Sequence, residues 1–115
     1  MGASSSKQHH AFLQCNNDYE LVIKSSKELE YILEHNFGGH GKGLHEKISS
    51  SSGLTPQLIK DMRYLATIRN KLIHERGFDK IPDRAAFKQT FEKSAGELQK
   101  LLAARDKKSE GCIIS

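Results

Sequence analysis

Three neighbouring polar side chains, Arg69, Asn70 and His74, converge near one helix C-terminus and are of types that can move protons and bind anions. Histidine is the side chain whose ordinary pKa suits proton transfer near neutrality. Arginine offers a planar fork of donors that matches phosphate oxygens. Asparagine carries both a donor and an acceptor and can orient a neighbouring side chain. On a helix, Asn70 and His74 are four apart and share a face. The structural account of the same residues is an ion pair and a terminal cation. A carboxylate from an earlier helix, Glu28, Glu30 or Glu34, would neutralise Arg69, and the helix dipole favours His74 near a C-terminus.

The element that must position them is the stretch 55–77, TPQLIKDMRYLATIRNKLIHERG. Thr55 is an N-cap whose hydroxyl can accept from a free N–H of the first turn. Pro56 follows at the first helical position, where its missing N–H is harmless. Gly77 can close the helix in the left-handed conformation. Leu58, Met62, Leu65 and Leu72, with Ile59, Ala66 and Ile73, recur at spacings of three and four, which is the apolar stripe of a buried face. Arg69 falls inside that stripe, so it must find a partner.

The run Ile68-Arg69-Asn70-Lys71-Leu72-Ile73-His74-Glu75 resembles the signature of the HEPN superfamily (higher eukaryotes and prokaryotes nucleotide-binding domains): an Arg, a polar residue such as Asn, then a His near the end of a long helix. The resemblance extends over about 16–102. It implies a small helical bundle and, in catalytically active members, a metal-independent endoribonuclease. In such members the ribose 2′-hydroxyl attacks the adjacent phosphate and leaves a 2′,3′-cyclic phosphate. By resemblance, His74 would be the acid/base, Arg69 the phosphate clamp and Asn70 the orienting group. Active members place two such helices face to face in a homodimer. Other members keep the motif and only bind, so a non-catalytic, membrane-anchored adaptor for nucleotide, RNA or protein is the alternative. No cofactor and no metal is implied.

The 115 residues suit one domain, whose core has little margin. A formal net charge of +4 is compatible with a phosphate-bearing partner without demanding one. Two cysteines give no disulfide framework, and a reducing, cytoplasmic compartment is the default. No apolar run approaches the roughly 18 residues of a membrane span, and no stretch reads as a secretory h-region.

Residues 1–14 are small and polar and read as a flexible segment. Gly2 with Ser6 fits the N-myristoylation pattern. Asn16, Asn17 and Asp18 offer caps for a helix to about Asn36, buried through Tyr19, Val22, Ile23, Leu29, Ile32 and Leu33, and stopped by Gly38 and Gly39. A short helix over about 43–50 turns Leu44 and Ile48 inward. The glycines of 38–43 lack the spacing and the closing Lys-Ser/Thr of a phosphate loop. His35, His40 and His45 are five apart, do not share a helix face, and have no completing ligand for a metal. Phe78 and Ile81 cover the end of the core. Asp83 caps a last helix over about 84–104, with Ala86, Phe87, Phe91, Ala95, Leu98, Leu101 and Leu102 inward, and Gly96 marking close packing. Residues 105–115 read as a flexible tail. Cys112-Ile113-Ile114-Ser115 is a C-a-a-X pattern whose final Ser points to a farnesyl group on Cys112.

The expected fold is an all-α, up-and-down bundle of about four helices over 15–104. The expected protein is an endoribonuclease, or a binding adaptor, held on the cytoplasmic face of a membrane by lipid at Gly2 and Cys112.

Overall fold

Each long helix starts where a side chain can satisfy a free backbone donor. A computed structural model describes residues 10–114, of which 106–114 as backbone only. Gly2 and the side chain of Cys112 lie outside what is described. A single 3-10 turn, Ala11–Gln14, precedes four α-helices: α1 Asp18–Asn36, α2 Leu44–Ser50, α3 Pro56–His74 and α4 Arg84–Ile114. No strand occurs among the described residues. The Asn17 side chain accepts from Glu20 N–H at 3.0 Å, Thr55 Oγ1 from Leu58 N–H at 3.2 Å, and Asp83 Oδ1 from Ala86 N–H at 3.0 Å. Caps of this kind are each worth about 1 kcal/mol.

Two arginines of α4 fix the direction of α1. At one end Arg84 bonds Asp18, whose other oxygen accepts from Ile81 N–H at 2.8 Å, and Arg84 Nη1 also donates to Cys15 O at 2.8 Å. At the other end Arg105 Nη1 donates to Asn36 O at 2.6 Å and lies over the Phe37 ring, 5.2 Å from its centre. So α1 and α4 run the same way. The short connection after α3 makes α3 antiparallel to both, and the three long helices form an up-and-down bundle.

The core is one cluster. Leu21, Val22, Leu29 and Leu33 of α1, Leu58, Met62, Leu65 and Ala66 of α3, and Phe87, Phe91 and Leu98 of α4 are all buried. Burying a side chain of this size stabilises by about 1.5–3 kcal/mol. Leu44 and Ile48 seat α2 in the same cluster, and Ile81 closes its end. The N-terminal turn adds Leu13, while His10 and Phe12 meet Phe91 edge-on.

Several expectations are corrected. The buried line of α1 runs through Leu21 rather than Tyr19 or Ile23; Tyr19 is exposed. Gly77 does not close α3. The helix ends at His74, and Glu75 turns extended with its N–H on Lys71 O. Gly96 is exposed and nothing lies within 4 Å of where its Cβ would be, so no close packing occurs there. α4 runs past 104 to Ile114, through Asp106, Lys107, Lys108 and Glu110, with no proline to stop it. Gly38 does end α1: its φ of 75° is left-handed, and Gly39 N–H reaches back to Leu33 O at 2.9 Å.

Candidate functional site

Lys93 of α4 pairs with Asp61 of α3 at 3.2 Å. Counting equally along both helices from that pair puts Arg84 opposite Asn70. Arg84 is also tied to Asp18, the start of α1. So α1 and α4 both begin at the level of Asn70, and the last turn of α3 extends beyond them. That explains two exposures the apolar pattern did not foretell. Ile73 is 40% exposed although it continues the stripe. Arg69 lies on the core line by its spacing from Leu65 and Leu72, yet is only half-buried.

At this end Arg69 Nη1 donates to Asn70 Oδ1 at 3.1 Å. No carboxylate pairs with Arg69 among the described residues. The expected partners are engaged elsewhere. Glu30 and Glu34 converge on Lys47 Nζ at 3.7 and 3.4 Å, and Glu28 faces His10 at 3.8 Å. His74 occupies the last position of α3 and is exposed. Arg69 and Asn70 are therefore brought together. His74 shares the Asn70 face by its i,i+4 spacing and is hydrogen-bonded to neither.

A second cluster joins α2 to α3. Arg63 Nη1 donates to His45 Nδ1 at 3.0 Å, and Arg63 Nη2 donates to Ser49 Oγ at 2.8 Å. An arginine can only donate, so His45 Nδ1 carries a lone pair and the proton is on Nε2. Burial first, and the Arg63 charge second, lower the His45 pKa below its ordinary 6.5. His45 and Ser49 line an open cavity of ≈ 370 Å³ with His40, Gly41, Glu46 and Ser50. The sequence offers His45 only as one of three histidines that do not make up a metal site. The four-residue spacing of His45 and Ser49 was the available signal; the Arg63 link depends on tertiary packing. Among the described residues no group of three or more His, Cys, Asp or Glu side chains could hold a metal ion.

Lys47 is the pin of the α1–α2 junction. It is 5% exposed, and its Nζ also donates to Gly41 O at 2.7 Å. No described helix is long and apolar enough to cross a membrane. Compared with family models, with curated proteins and with solved structures, the chain matches none.

Proposed function

We propose that this chain is a HEPN-like, metal-independent endoribonuclease that acts as a homodimer on the cytoplasmic face of a membrane, held there by lipid at Gly2 and Cys112. The observation that carries the reading is the freedom of Arg69. Its guanidinium bonds only the adjacent Asn70 and meets no carboxylate among the described residues. An arginine serving as a structural ion pair would be neutralised by one. Here Glu30 and Glu34 are held by Lys47 instead.

The chemistry follows from the residues. The 2′-hydroxyl attacks phosphorus, the 2′-O–P bond forms and the bond to the 5′-oxygen breaks. The products are a 2′,3′-cyclic phosphate and a 5′-hydroxyl. One imidazole takes the 2′ proton and a second protonates the leaving oxygen. A two-fold pair of α3 helices supplies two His74 side chains to one cleft. Arg69 donates to the phosphorane oxygens as charge builds. Asn70 gives its Oδ1 to Arg69, which leaves its NH₂ for phosphate or His74. Exposed Ile73 beside this set suits a self-association face.

The test is cleavage of RNA by the purified chain in EDTA. His74→Ala is expected to lower the rate by roughly 10²-fold or more. Cleavage that stops with EDTA, or that survives His74→Ala, sinks the reading. Arg69→Ala is informative only beside a circular dichroism spectrum showing an intact helical fold.

A further inference from the structure

The outward stripe of α3 carries three cations, Lys60, Arg63 and Lys71, and no acid. Lys60, Arg63, Thr67, Asn70, Lys71 and His74 recur at helical spacings on the side away from the core. The one acidic residue of α3, Asp61, faces Lys93 on α4. Glu46, the nearest acid on α2, accepts from Lys42 N–H at 2.9 Å through Oε1. At the α2 end of this stripe stands the Arg63–His45–Ser49 cluster.

The donors of that cluster are only partly used. Arg63 spends one N–H on His45 and one on Ser49. His45 accepts through Nδ1, so its Nε2–H is left to donate. Ser49 accepts from Arg63, so its own O–H is left to donate. The cavity gives a ligand access to His45 and Ser49. One guanidinium, one imidazole N–H and one hydroxyl make an oxyanion-binding set. Arg63 and Asn70 are separated by roughly 10 Å along α3, which a short oligonucleotide spans.

We infer that Arg63, His45 and Ser49 seat a backbone phosphate of single-stranded RNA, whose strand runs along the outer face of α3 toward Arg69, Asn70 and His74. This rests on the proposed ribonuclease reading and adds to it where the flanking strand is held. A single strand is indicated because the stripe is one helix wide and carries separate cations.

The test uses the full, unlipidated chain and a labelled oligouridylate with 2′-O-methyl riboses, which binds but cannot be cleaved. Affinity is measured across a series of salt concentrations. Arg63→Gln is expected to weaken binding about tenfold at low salt and to reduce the log–log salt slope by about 0.7, the effect of one lost phosphate contact on a single strand. Arg63→Lys keeps the slope. Ser49→Ala, at an exposed hydroxyl, weakens binding by about threefold and covers the case in which Arg63→Gln unfolds, which a urea midpoint reports. An affinity and slope indifferent to Arg63→Gln and Ser49→Ala overturn the inference, as does the absence of any RNA binding. So does an Arg63→Gln defect seen only with phosphatidylcholine–phosphatidylserine vesicles. Binding that responds to Arg63 without cleavage of ordinary RNA sinks the enzyme reading alone. Cleavage that needs His74 with affinity blind to Arg63 sinks this inference alone.

Discussion

Arg69 holds Asn70 by a hydrogen bond of 3.1 Å between adjacent residues of one helix, at the level where the two neighbouring helices begin. Both side chains are half-buried. The pairing orients the amide, and no acidic group competes with a phosphate for the guanidinium among the described residues.

Exposed Ile73 is the handle on the proposed dimer. Ile73→Asp should drive the chain to monomer in sedimentation experiments, and cleavage should fall tenfold or more with it. A chain that remains at 12.9 kDa at high concentration before any substitution argues against the composite site.

Lys47 should matter more than a surface lysine. Removing it strands Glu30 and Glu34 close together and frees the Gly41 carbonyl. Breaking a buried pair costs about 3–5 kcal/mol; the two carboxylates are a quarter to a half exposed, so solvent screening reduces this to about 2 kcal/mol for Lys47→Ala. Urea unfolding measures it, and hydrogen exchange should quicken in the loop 38–43.

Stability should also depend on pH through His45. Its folded pKa lies below 6.5, so the unfolded chain takes up the proton first. The contribution is whole above about pH 6.5 and is lost as pH falls through the folded value. The advantage of the wild-type chain over His45→Gln, read as a urea midpoint, should therefore shrink between about pH 7.5 and pH 5. An unchanged difference would mean that neither burial nor Arg63 lowers the His45 pKa in solution.

If the proposed lipids are attached at both ends, membrane attachment should be graded. A single myristoyl chain binds with a constant near 10⁴ M⁻¹, so stable anchoring takes a second signal. Gly2→Ala or Cys112→Ser alone should leave partial, exchangeable binding, and the double change should release the protein to the soluble fraction. Fractionation of cells expressing an internally tagged chain reads this out. Mass spectrometry finding no lipid at either end would reduce both terminal patterns to coincidence.

What the sequence could reveal was mostly local. Asn17, Thr55 with Pro56, and Asp83 mark helix starts within one turn of themselves, and the helices begin beside them. The apolar spacing of Leu58, Met62, Leu65 and Leu72 fixes a face in the same local way. The failures are long-range. Ile73 is exposed because α1 and α4 start too late to cover it, which no pattern within α3 contains. Lys47 is buried because two glutamates of another helix meet it. Arg69, Asn70 and His74 could be picked out by type and spacing, but their partners could not. The Arg63–His45–Ser49 cluster escaped because its halves are eighteen residues apart and meet only after α2 docks.

The straps from Arg84 and Arg105 to α1 also bear on the order of folding. They join residues 66 and 69 positions apart. During synthesis from the N-terminus, α1 emerges long before either strap exists. It can meet α2 and α3 early, but its start stays untied until α4 begins and its end until Arg105 has followed. Closing such long loops is slow compared with forming the helices themselves. A chain stopped after α3 would keep its apolar face uncovered, and the final helix would be the step that commits the whole domain to its native form.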